Sequence, residues 1–143
     1  MKNTLRTGST LIELLVALAI AAALLLMSVP ASSSVRNRGA VRASTTELAS
    51  ALALARSVAL AESRIVAIAF DTASGRARVL AWPDTLLDLP LGTRYGITLS
   101  ASRDSIAYGP TGRGYGAANA TLTLRRGGAA DTIVVSRLGR VKS

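Results

Sequence analysis

The sequence of 143 residues contains no cysteine and no histidine. Without cysteine, no disulfide can staple an exported domain, which must rely on its own core or on neighbours in an assembly. Without either residue, thiol and serine–histidine catalysis are excluded and the commonest transition-metal ligands are missing. Lysine is nearly absent as well, occurring only at positions 2 and 142. Acidic residues number 8 against 17 basic ones, for a formal net charge of +9. No pair of carboxylates is evidently set for acid–base work, so an enzyme is the least supported class and no cofactor is implied. In a chain so rich in Ala and Arg, the positive charge alone identifies no partner. The length allows one small domain and an anchor.

The most prominent feature present is an apolar run from Leu11 to Val29, broken by a single charge, Glu13. At about 1.5 Å per residue the run approaches the roughly 30 Å of a bilayer core, which predicts a membrane-spanning helix over 9–30. Lys2 and Arg6 precede it, so the N-terminus is expected in the cytoplasm and the remainder on the far side of the membrane. A carboxylate in such a helix costs about 3 kcal/mol and calls for a partner. A cut after Gly8 would supply one, because the new α-amino group of Ser9 would stand about one helical turn from Glu13.

A short basic leader ending in Gly8, followed by Thr10-Leu-Ile-Glu-Leu-Leu-Val16 and an apolar helix, resembles the class III leader of type IV pilins and type II secretion pseudopilins. The resemblance implies a leader of residues 1–8, cleavage between Gly8 and Ser9 by a prepilin peptidase, and N-methylation of Ser9. It also implies that Glu13 is neutralised by the N-terminal amine of a neighbouring subunit in the filament. The family usually begins its mature chain with Phe, where Ser9 stands here. Two plainer readings remain open: a secretory signal peptide cut near Val29-Pro30-Ala31, and a simple single-pass anchor.

Pro30 interrupts the backbone hydrogen bonding of a helix, and the patterning that resumes behind it predicts a kinked continuation. The other reading ends the helix at Pro30 and makes Ser32–Ser34 a linker. From Val35 to about Ala61 helix formers dominate, and Val41, Leu48, Leu52, Ala55 and Ala59 form one apolar stripe. A stalk helix over 31–62 is therefore expected to cover a sheet made by residues 63–143.

At Arg64 the period changes from helical to alternating. Ile65–Phe70 reads as a strand buried on both faces, and Arg76–Trp82 completes a hairpin around Asp71–Gly75. Pro83–Gly92 reads as a loop with apolar anchors. Its Asp84 and Asp88 lack the ligand set of a calcium site, so no metal is expected there. Tyr95–Ser100, Ser105–Tyr108, Thr121–Arg125 and Asp131–Ser136 read as further strands. Gly109–Gly116 lacks the ending of a phosphate-binding loop and reads as a turn that needs positive φ.

The Ile106-x-Tyr108-Gly109-Pro110-x-Gly112 segment and the closing Gly139-Arg140-Val141 narrow the resemblance to H-type minor pseudopilins and FimT-like minor pilins. That implies a pilin-like α+β fold, with a long N-terminal helix packed on an antiparallel sheet domain. The implied partners are other pseudopilins or pilins in a hetero-oligomeric filament, the peptidase and the inner membrane. Some FimT-like relatives bind DNA through a basic C-terminal segment. Gly139, Arg140 and Lys142 match it here, and Arg125, Arg126 and Arg137 extend the set of DNA-contact candidates.

Overall fold

The computed structural model describes residues 10–116 and 118–142, with 25–32 described by their backbone alone. Its elements run α1 (Leu11–Ala61), β1 (Val66–Asp71), β2 (Arg76–Ala81), β3 (Asp84–Leu89), α2 (Leu91–Tyr95), β4 (Thr98–Ala101), β5 (Ser105–Tyr108), β6 (Gly114–Tyr115), β7 (Ala120–Arg126), β8 (Ala129–Val135) and β9 (Val141–Lys142). The chain divides into two compact units, Met1–Val35 and Arg36–Ser143.

In the first unit α1 starts just after Thr10. The Glu13 N–H donates to the Thr10 carbonyl at 3.0 Å and lies 3.4 Å from Thr10 Oγ1, as in the first half of a capping box. Leu11, Ile12, Leu14, Leu15, Val16, Leu18, Ile20 and Leu24 are all exposed. The helical span of α1 includes Pro30 and Ser32–Ser34. Among the described residues no helix is long and apolar enough to cross a membrane. The described side chains of the apolar run stop at Leu24, and Leu11 to Leu24 rises only about 21 Å. The span expected over 9–30 extends past them at both ends.

In the second unit the stripe read from the sequence is the buried face of α1. Leu48, Leu52, Ala55 and Ala59 are fully buried and Val41 nearly so, while Arg38, Arg42 and Arg56 are exposed. Burying a leucine in this way stabilises the fold by about 1.5–3 kcal/mol relative to leaving it in water. The helix stops after Ala61, where Glu62 N–H still reaches the Val58 carbonyl and Ser63 turns to a φ of 49°.

The helix covers two antiparallel sheets rather than one. The first has the order β3-β2-β1-β5-β6 and the second β4-β7-β8-β9. Their inner faces alternate as a pleated strand requires. Val66, Ile68 and Phe70, then Val79, Ile106 and Tyr108, line the first, and Leu99, Leu122, Leu124, Ile133 and Val135 line the second. Ile68 stands opposite both Val79 and Ile106, and Leu122 opposite Ile133.

Several boundaries differ from the sequence reading. β1 is buried on one face only, because Ala67 and Ala69 on the other are half-buried. The 83–92 loop contains a strand, β3, which pairs antiparallel with β2 through a bulge at Leu86, between the Val79–Leu87 and Leu80–Thr85 pairs. Pro83 and Pro90 lie just outside that strand, where their missing N–H groups break no ladder bond. Tyr95 ends the short helix α2, and Gly96, at φ 62°, turns the chain before β4 begins at Thr98. Within the glycine-dense turn Gly112 and Gly116 have positive φ, yet Gly114–Tyr115 between them pairs with β5.

Candidate functional site

The sequence points to two functional regions, the head of α1 and the basic C-terminal third. At the head of α1, Glu13 is in the first helical turn, on a segment whose apolar side chains stand exposed. Gly8 and Ser9, the expected cleavage and methylation positions, lie outside the described residues.

The basic residues do not form one track. Arg125 and Arg126 end β7 beside the β7–β8 turn, where Arg126 pairs with Ala129. At the other end of the same hairpin Ala120 pairs with Val135, just before Arg137. The length of β8 between these ends is about 20 Å. Arg126 is also occupied, since its guanidinium donates to the Tyr95 carbonyl and lies against Gly96. It secures the α2–β4 corner and is half-buried there.

Arg137 and Arg140 lie on a tight turn, and Lys142 follows at once on β9. The Ser136 N–H donates to the Arg140 carbonyl at 2.9 Å, the Arg140 N–H donates to Ser136 Oγ at 3.1 Å, and Gly139 N–H reaches the Ser136 carbonyl at 2.9 Å. Gly139 is required by the turn. Its φ is +76°, and a Cβ there would stand 2.9 Å from Tyr108 Cε1 and 3.1 Å from the Gly112 carbonyl oxygen. The glycine of the Gly-Arg-x-Lys motif thus serves packing, and the cations beside it stand exposed.

The sequence reading did not bring Arg56 to this place. With Leu52, Leu60, Tyr108, Gly139 and Val141 it lines a cavity of about 360 Å³ between α1 and the C-terminal turn. Arg113 also belongs here, because Gly112 and Gly114 on either side of it pack against Gly139 and Arg137. Among the described residues the ion pairs are Arg64–Glu62, Arg76–Asp88 and Arg94–Glu47, so none of the cations at this end is neutralised by an acid. Tyr108 is buried, its hydroxyl has no hydrogen-bond partner among the described residues, and burial raises its pKa against the opposing pull of Arg56. No signal in the sequence could have joined Arg56 to Gly139, since only the packing of the helix on the sheets brings them together. Asp88 accepts from Arg76 at 2.8 Å on the edge of the first sheet. No group of three potential metal ligands occurs among the described residues.

Residues 44–139 match the family described as Type II transport protein GspH, a stretch that takes in most of the packed part of α1 and all but the last strand. The chain belongs to the GspH family. No curated protein sequence matches it. This GspH-family chain shares its fold with the type IV minor pilin FimU of Pseudomonas aeruginosa PAO1, seen in two crystal forms. For the P21 form the TM-score is 0.63 at 18% identity, covering 73% of this chain and 88% of that one. For the P65 form the values are 0.59 at 17%, covering 71% and 90%. The family match places this chain among the GspH type II transport proteins, and its fold is the pilin-like one of FimU.

Proposed function

We propose that this chain is a minor pseudopilin of a type II secretion system: a subunit anchored in the inner membrane, with its sheet domain in the periplasm, recruited into a short filament that drives protein export. The observation that carries the reading is the family match over residues 44–139, on the same chain as the Leu-Ile-Glu head of α1. The mechanism is physical. The leader is removed after Gly8, Ser9 is methylated, and the apolar helix rests in lipid. Assembly transfers it into a bundle of like helices, where packing replaces lipid contact. Glu13 then accepts the positive N-terminus of an adjacent subunit, which sets the register between helices. A retained Glu13 suits a subunit with neighbours above it.

The substitution Glu13→Ala tests this reading. It removes a desolvation cost, so membrane insertion and processing proceed as before, while recruitment falls because a neighbour's amine is left uncompensated among apolar helices. Crosslinking to the other pilin-like subunits measures recruitment, and an undiminished yield would overturn the role of Glu13.

A second reading is a FimT-like minor pilin that takes up DNA. The unneutralised cations Arg137, Arg140 and Lys142 favour it, whereas the occupied Arg126 and the distance to Arg125 weigh against a continuous track. Loss of the gene separates the two: a defect in protein secretion supports the pseudopilin, and a defect in piliation or DNA uptake with normal secretion supports the minor pilin.

A further inference from the structure

We propose that the end of the second unit at which α1 enters it is a docking face for an anionic phospholipid surface. The unit opens with Arg36, Arg38 and Arg42, all exposed. Asn37 stands against the β7–β8 turn, since a Cβ on Gly127 would lie 2.6 Å from its Nδ2. Arg125, also exposed, pairs with Ala130 beside that turn and so comes to the same end. The four arginines belong to two elements far apart in the sequence, and the fold gathers them. None has an acidic partner among the described residues, and Glu47, further along the helix, is occupied by Arg94.

Arg38 and Arg42, four residues apart, share one face of the helix. With Val41 they line an open cleft of about 470 Å³ whose other wall is formed by residues 128–131. That wall carries only glycine and alanine apart from Asp131. Asp131 is half-buried, and its Oδ1 accepts the Thr132 N–H at 2.8 Å. Two cations thus stand against one partly satisfied carboxylate, which leaves the cleft net positive. Guanidinium groups match phosphate oxygens in pairs of hydrogen bonds, as the phosphodiester of a lipid headgroup offers.

The chain itself selects the surface. Arg36 is only seven residues beyond Val29, the end of the apolar run. Even fully extended, that tether reaches no more than about 25 Å, so anchoring the run in a bilayer holds Arg36 within that distance of the headgroups. The positive-inside bias does not account for these arginines, because it favours such residues on the other side of a span. Each one near an anionic surface strengthens association about fivefold. At the other end of the packed helix, Arg64 donates to the Ala81 and Trp82 carbonyls at 3.2 and 3.4 Å. Trp82, 89% exposed, therefore stands beyond a helical rise of about 35 Å from Arg38 to Ala61. Docking by the basic end leaves this single tryptophan far from the lipid. The inference rests on the reading of the chain as a membrane-anchored subunit.

Because the chain has no cysteine, Gly128→Cys gives one site for a fluorescent label, and a Cβ there meets nothing within 4 Å. Labelled full chain is reconstituted into vesicles of phosphatidylcholine, alone or with phosphatidylglycerol, that carry nitroxides on their headgroups. Quenching of the label is expected to be stronger with phosphatidylglycerol and to weaken with salt, while Trp82 stays unquenched in both. Arg36→Gln, Arg38→Gln and Arg42→Gln together should lower the ratio of docked to free domain about a hundredfold. The label then returns to its level in neutral lipid. Quenching that ignores lipid charge or the three substitutions overturns the proposal, and so does equal quenching of Trp82. Retention of duplex DNA by the parent but not by the triple variant, with the label quenched alike in both lipids, would transfer the face to nucleic acid. A chain that an alkaline wash strips from the vesicles would overturn the anchor itself, so the two failures are distinguishable.

Discussion

Replacing Gly139 with alanine asks whether the glycine of the C-terminal motif serves the fold or a ligand. Gly139 has a φ of +76°, where an L residue costs about 1–2 kcal/mol. The new methyl would also stand 2.9 Å from Tyr108 Cε1 and 3.1 Å from the Gly112 carbonyl oxygen. Neither neighbour is a flexible side-chain end: one is a ring buried to 1% exposure and the other is backbone. Overpacking of this kind typically costs about 1–3 kcal/mol, for a total of about 2–5 kcal/mol. Unfolding entropy is about 2.1 cal/mol/K per residue, or about 0.23 kcal/mol/K over the unit Arg36–Ser143, so the melting temperature should fall by about 9–22 °C. Circular dichroism melts of that unit provide the measurement, with Arg140→Ala as the surface control, expected within about 2 °C of the parent. A fall of less than about 4 °C for Gly139→Ala would refute the packing argument, and comparable falls in both variants would refute its assignment to the glycine.

Leu52→Asp places an unpaired charge on the fully buried stripe of α1 and should destabilise the same unit by several kcal/mol, seen as loss of its cooperative melt; an unchanged melt would mean this is not the core face. Tyr108 holds its proton more tightly folded than unfolded, because burial raises its pKa. Its contribution is complete below about pH 10 and declines as pH rises further and the unfolded chain ionises first. Tyr108→Phe should therefore melt no lower than the parent near neutral pH, where the unpartnered hydroxyl is no help, and should gain on it between about pH 9 and about pH 11. Mass spectrometry of the membrane-bound protein should find a chain beginning at Ser9 and methylated there, with Gly8→Leu leaving the precursor uncut; a mature N-terminus at Ala31 would establish a signal peptide.

The parts of the fold set by local periodicity were legible in the sequence. Val41, Leu48, Leu52, Ala55 and Ala59 recur at helical spacing, and all five face the sheets. Residues of β3 were misread because prolines at 83 and 90 and aspartates at 84 and 88 carry loop chemistry. An exposed edge strand tolerates that composition, since only one of its sides is paired. The candidate site was half legible. The Gly139-Arg140-Lys142 grouping is local in the chain, and the structure keeps it together. Whether Arg125 and Arg126 join it depends on strand register, which sends them to the far end of the hairpin. The tie between Arg126 and Tyr95 spans 31 positions and leaves no mark in either residue's neighbourhood.

The order in which the chain visits its two sheets has a mechanical consequence. It lays down β1, β2 and β3 in the first sheet, places β4 in the second, returns for β5 and β6, and finishes with β7, β8 and β9 in the second. Neither sheet is a continuous stretch of polypeptide, so neither can be peeled away while the other keeps its connections. A pull along α1 meets buried side chains from both sheets at once, because the helix stripe is part of the single core they share. A domain connected in this way is expected to unfold as one cooperative unit rather than sheet by sheet.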